Sequence, residues 1–242
     1  MLHRFHCPLP LSVGSVSTLP DKVAHHVFRV LRMQPGDRLV LFDGLGGEYH
    51  ARIEAVGSVV RVRIEAFDAV EREAPVSIVL AQGLAASERM DFVMQKAAEV
   101  GIARIIPVRT ARSIVHLDID RARRRLAHWQ GIAVAASEQC GRNRLPVVES
   151  IVTLPQFLAL SREYGDAVRV VLDPEASVPL SQRVRRQPLC VLAGPEGGLA
   201  DEEIRMAVQA GFEPTGLGPR IFRTETVGVV AASVWLAGLG EF

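Results

Sequence analysis

The chain has only three cysteines, Cys7, Cys140 and Cys190, odd in number and widely spaced, which excludes a disulfide framework and a CxxC metal pattern. Its seven histidines include no HExxH, and the adjacent His25 and His26 point in different directions on a helix or a strand, so no metal site is expected. No sustained apolar stretch opens the chain, which argues against a signal peptide. The longest apolar run, at 227–240, is about 14 residues, short of the roughly 18 needed to span a bilayer. An excess of one charge is missing too: the net charge is +1, and bulk charge points to no nucleic-acid partner. The expectation is a reduced, soluble, cytoplasmic protein.

What is present is an ordinary globular composition, 48% hydrophobic and 23% charged over 242 residues, enough for one large domain or a small one joined to a medium one. Charge is unevenly placed: Arg104 to Arg144 holds nine arginines against three acids, either a phosphate-tracking surface or a solvated helix face. Two rhythms divide the chain. Residues 1–72 read as β: Val60–Phe67 alternates apolar and charged side chains, and a glycine-rich hairpin turn (43–47) sits between two further strands. Several short strands suggest a small barrel, with residues 21–33 as its one helix. After the polar stretch Glu71–Pro75, strands at 76–82, 103–108, 168–173 and 189–194 alternate with helices at 87–100, 121–139 and 201–210. A short strand at 215–217 and a last helix at 225–239 follow; Ser87, Asp201 and Thr224 are the expected caps. The reading is α/β, with domains at 1–72 and 73–242 and a mostly parallel sheet in the second.

Two loops, AGPEGG (193–198) and GLGPRIFRTET (216–226), each follow a strand and lead into a helix, the edge where open α/β sheets bind ligands. A phosphate loop would need a lysine and a Ser/Thr that 193–198 lacks, and Glu196 would repel a polyphosphate. The glycines do not match GxGxxG. A ligand read through backbone groups, carrying adenosine without phosphate, is left, and S-adenosylmethionine fits it; a tight turn with no ligand is the alternative.

GPEGG, the acidic helix start DEE, and LGPRIFRTET before an apolar terminal helix resemble the RsmE-like methyltransferases of the SPOUT superfamily. So do HHVFRVLRMQPGD, QKAAEVGIARIIPV and ASEQCGRNRLPVV, in order, across nearly the whole chain. The resemblance implies a C-terminal domain with a deep trefoil knot and an N-terminal PUA-like β-barrel that binds RNA. It implies S-adenosylmethionine-dependent methylation of uridine N3 in small-subunit ribosomal RNA, in the assembled 30S subunit, by a homodimer. Alternatives are a SPOUT enzyme with another target atom, or a catalytically silent ribosome-assembly protein.

For the cofactor pocket, the resemblance points to Leu172, Gly194, Glu196, Gly197, Gly198, Leu217, Gly218 and Ile221, with Leu217 and Ile221 against the adenine. Arg223 would steady the negative charge that develops on uracil O2 and O4; its alternative is a bridge to Glu196 or Glu225. Glu225 is either the base or a complement to the helix dipole. Arg29, Arg32, Arg112 and Arg142 are the expected RNA contacts. The sequence departs from the family at Ala86 (lysine there), Ala111 (glutamate), Ala200 (serine) and Phe222 (leucine).

Overall fold

The computed structural model describes residues 2–57, 59–113 and 118–242. They form two compact units: Met1–Glu73 with Ser137–Leu145, and Ala74–Ala136 with Pro146–Phe242. The first unit is therefore discontinuous, which a single cut between residues 72 and 73 does not express.

In the first unit, β1 (Arg4–His6), β2 (Val16–Thr18), β3 (Arg38–Phe42), β4 (Glu48–Val56) and β5 (Val60–Asp68) form one sheet in the order β1-β3-β4-β5-β2. All pairs are antiparallel except β1–β3. The alternation seen in β5 does what its period requires: Val60, Val62 and Ile64 are buried, and Arg61, Arg63 and Glu65 face outward. The expected helix at 21–33 is shorter, with α1 (Asp21–His25) running into a π-helical turn at His26–Val30.

Residues 137–145 join this unit through charge. Arg4 reaches Glu48 Oε2 and Asn143 Oδ1, each at 2.5 Å, and Arg72 reaches the same Glu48 oxygen at 2.9 Å. Arg142 Nη2 lies 2.5 Å from Glu73 Oε2, and the His6 N–H donates to Glu138 at 2.9 Å. Burial disfavours ionisation of Glu48, but hydrogen bonds from Arg72 and Arg4 outweigh it and pull its carboxyl down to about 2.

The second unit holds β6 (Ile78–Gly83), α2 (Ser87–Glu99), β7 (Arg104–Arg109), α3 (Ile119–Cys140) as far as Ala136, β8 (Val147–Val148), β9 (Val152–Thr153) and α4 (Leu154–Leu160). It continues with β10 (Val168–Leu172), β11 (Leu189–Ala193), α5 (Asp201–Gln209), β12 (Glu213–Thr215) and α6 (Thr224–Gly238). The sheet is parallel throughout, in the order β12-β10-β11-β6-β7-β8, with β9 also on β7. A parallel sheet is covered on both faces, so its central strands read as unbroken apolar runs. β6 and β11 are buried along their whole length. Leu80, Val170 and Val191 face Val93, Trp129 and Trp235 of α2, α3 and α6. Val79, Val171 and Leu192 face Phe157, Ala207 and Phe212 on the α4–α5 side. The apolar α6 buries Gly228, Ala231, Ala232 and Trp235 in this core. Among the described residues, no helix is long and apolar enough to cross a membrane.

Candidate functional site

The carboxyl ends of β10, β11 and β12 converge on one cavity of about 930 Å³ in the second unit. Three loops wall it: Leu172–Glu175 after β10, Gly194–Leu199 after β11, and Leu217–Arg223 leading into α6. The structure brings together Leu172, Gly194, Glu196, Gly197, Gly198, Leu217, Gly218, Ile221, Arg223 and Glu225, all of which line it. Gly198 has φ +70°, the left-handed region that glycine enters without strain, and this turns the chain back toward α5.

Side chains that sequence reading passed over hold these walls. Gln82, at the end of β6, donates to Thr224 Oγ1 at 2.9 Å and to the Gly194 carbonyl at 3.2 Å. Thr224 Oγ1 itself donates to that carbonyl at 2.7 Å. Thr224 is therefore not the N-cap of α6. Arg223 occupies that position, and the threonine ties helix to turn instead. The available signal was Gln82 itself, a polar residue closing an otherwise apolar strand.

Glu196 Oε1 accepts from the Ala86 N–H and from Arg89 Nη1, both at 2.8 Å. Ser87 consequently does not cap α2; the position before the helix is Ala86, and Glu196 meets its N–H from 110 residues away. Burial works against the Glu196 carboxylate, yet the backbone N–H groups of Ala86 and Glu196, and then Arg89, hold it below its usual range. Asp201 does not cap α5 either. Glu203 accepts from the Ala200 N–H at 2.9 Å and from the Ala111 N–H at 2.7 Å, so one carboxylate serves both backbone groups.

The four arginines expected to touch RNA separate. Arg112 is exposed at the cavity rim, with Nη1 2.8 Å from the Gly197 carbonyl. Arg29 and Arg32 are exposed in the first unit, Arg29 over the Phe28 ring and Arg32 in a left-handed conformation at φ 53°. Arg142 is a correction: it is 3% exposed and paired with Glu73, so its guanidinium serves the first unit's interior rather than a phosphate. Glu48, His50 and Asp68 each place a ligand atom within 4.8 Å of the others, but the two guanidiniums on Glu48 compete with any cation there.

The cavity suits an adenosine carrying a positive sulfonium. Leu172, Leu199, Leu217, Ile204 and Val227 give apolar lining, and the Gly194–Gly198 turn offers backbone groups without side chains in the way. Glu196 and Glu225 each have one buried oxygen without a hydrogen-bond partner among the described residues, a poor environment for a polyphosphate and a good one for a cation.

The RNA methyltransferase domain family matches residues 72–236, and the RNA methyltransferase PUA domain family matches residues 19–62. Ribosomal RNA small subunit methyltransferase E of Bacillus subtilis (strain 168) is 30% identical over 224 residues, 89% of this chain and 88% of its own length. A Legionella pneumophila protein solved with its cofactor SAM bound aligns with a TM-score of 0.90 and 39% identity, covering 98% of each chain. The ribosomal RNA small subunit methyltransferase E from Neisseria gonorrhoeae, solved with S-adenosylmethionine, aligns with a TM-score of 0.89 and 35% identity over 96% of each chain.

Proposed function

Because the chain belongs to the ribosomal RNA small subunit methyltransferase E family, we propose that it methylates N3 of a uridine in small-subunit ribosomal RNA. The observation that carries this reading is the glycine-walled cavity at the strand ends, whose lining suits S-adenosylmethionine. When bound, that cofactor supplies an electrophilic methyl group. The chain's own residues position the reactants and stabilise charge.

Before N3 can take a methyl group, the uracil imide must give up its proton, to water or to the Glu225 carboxylate. The charge left on O2 and O4 needs a donor. Arg223 suits this role: its side chain is 81% exposed at the rim, with Glu225 only at 4.0 Å. Glu225 lies in the first turn of α6, where a carboxylate complements the helix dipole. Leu217 and Ile221 cover the adenine, and Leu172, Gly194, Gly197, Gly198 and Gly218 supply the remaining contacts. Arg29, Arg32 and Arg112 contact RNA phosphates. The target base leaves its stack to reach the site.

The same reading takes residues 1–72 as a PUA-like barrel and the C-terminal domain, 73–242, as a deep trefoil knot. What supports the knot is the close backbone packing of Gly216 against 176–180: its N–H donates to the Val178 carbonyl, its carbonyl accepts from the Leu180 N–H, and a Cβ there would lie 2.9 Å from Ala176 O. The reading also takes the enzyme as a cytoplasmic homodimer acting on the assembled 30S subunit.

The test is incubation of the protein with small ribosomal subunits lacking the modification and methyl-labelled S-adenosylmethionine, followed by nucleoside mass analysis. The expected product is 3-methyluridine at one site. Label in another nucleoside would overturn the target while keeping the cofactor.

A further inference from the structure

The cavity contains a cation, Arg89, that the methyl-transfer chemistry leaves without a task, and it stands between two largely buried carboxylates. Glu196 sits in the turn after β11, and Glu225 in the first turn of α6; each side chain is only 16% exposed. Arg89, from the first turn of α2, reaches both. Its Nη1 lies 2.8 Å from Glu196 Oε1, and its Nε lies 3.8 Å from Glu225 Oε2.

The two carboxylates are not equally supported. Glu196 has the Ala86 N–H as a second donor at 2.8 Å. Glu225 has Arg223 at 4.0 Å from its other oxygen, on a side chain that is mostly in solvent. The remaining charged groups lining the cavity are Arg112, Asp173, Glu175, Asp201 and Arg220.

Two carboxylates on one wall repel each other, and a cation between them offsets that repulsion. A guanidinium suits this better than an ammonium, because its charge is spread over a planar fork: one nitrogen pairs with Glu196 while another stands near Glu225 as a charge contact, not a hydrogen bond. Helix stability does not account for Arg89, since a basic residue in the first turn opposes the dipole of α2. We propose that Arg89 is a positioning residue: it holds Glu196 and Glu225 as a pair of carboxylates and so fixes the 194–198 turn against the start of α6. The proposal rests on the cofactor reading given above.

The test is equilibrium binding of labelled S-adenosylmethionine, with thermal melts of the cofactor-free protein alongside. Arg89→Gln is expected to weaken binding roughly tenfold. Arg89→Lys should recover part of the affinity. Adding Glu225→Gln to Arg89→Gln should cost little further, because the two groups act as one pair; a role for Arg89 that does not pass through Glu225 would make the two losses add.

Wild-type affinity in a folded Arg89→Gln protein would overturn the proposal, as would losses that simply add in the Arg89→Gln, Glu225→Gln double variant. If Arg89→Gln does not fold, Arg89→Lys decides, and wild-type affinity there overturns it. Failure of the unaltered protein to bind S-adenosylmethionine is a different result, which sinks the cofactor reading and the role of Arg89 together.

Discussion

Residues 141–144 (GRNR) and 218–223 (GPRIFR) look alike as sequence: glycine followed by two arginines in a short loop. The fold treats them in opposite ways. Arg142 is buried on Glu73 and Arg144 pairs with Glu71 at 3.0 Å, so the first loop uses its charge to close a folded unit. Arg220 and Arg223 are exposed at the cavity rim. What separates them is the supply of acids. The stretch 71–73 brings two glutamates to the first loop, whereas the carboxylates near the second are engaged by Arg89. An arginine in a sequence is thus uninformative until the acid that meets it is known.

Breaking this contrast is most direct at the buried end. Arg142→Ala leaves Glu73 without its partner and should cost the first unit about 3–5 kcal/mol. Both tryptophans, Trp129 and Trp235, lie in the second unit, so tryptophan emission follows that unit alone while far-UV circular dichroism follows both. The dichroism should gain an early transition while the emission midpoint holds; a joint shift of both would erase the distinction.

Acid should act on the same side. The folded Glu48 carboxyl, at about 2, lies below its unfolded value near about 4.3, so its contribution is complete above that range and is lost as pH falls toward 2. We expect about 3 kcal/mol to disappear across that window, and Glu48→Gln to flatten the dependence in an acid titration of the first unit. Arg223→Ala should do the reverse of Arg142→Ala: the methyl-transfer rate falls about 10²-fold, while both melting transitions stay within about 0.5 kcal/mol. Equal loss of stability would place Arg223 with Arg142. The smallest effect is Ala200→Ser, which supplies a capping hydroxyl to α5 and should raise the emission midpoint by about 0.5–1 kcal/mol. No gain would mean that Glu203 already satisfies that helix start.

The parts of the fold with a regular period were legible in the sequence. The alternation of β5, the unbroken apolar runs of β6 and β11, and the two glycine loops all fell where the structure has them. Strands of two or three residues (β1, β2, β8 and β9) have too little length to show a period, and α4 was missed beside them. The strand expected at 215–217 lies two residues earlier, at Glu213–Thr215. Helix starts failed for a different reason. The local rule assigns the cap to Ser87 or Thr224, but the Ala86 N–H is met by Glu196, and the Thr224 hydroxyl goes to Gly194. Arg89 and Gln82 escaped for the same cause, since their meaning comes from partners more than 100 residues away.

The discontinuity of the first unit has a consequence for how the chain is made. Arg4 finds Asn143, and the His6 N–H finds Glu138, only after the ribosome has added about seventy residues beyond Glu73. At typical elongation rates of roughly 5–20 residues per second, that is a wait of about 4–14 s. During it the sheet exists without its closing strap, while β6, α2 and β7 are already emerging. The N-terminal unit is begun first, yet it is completed only once part of the C-terminal unit has been synthesised.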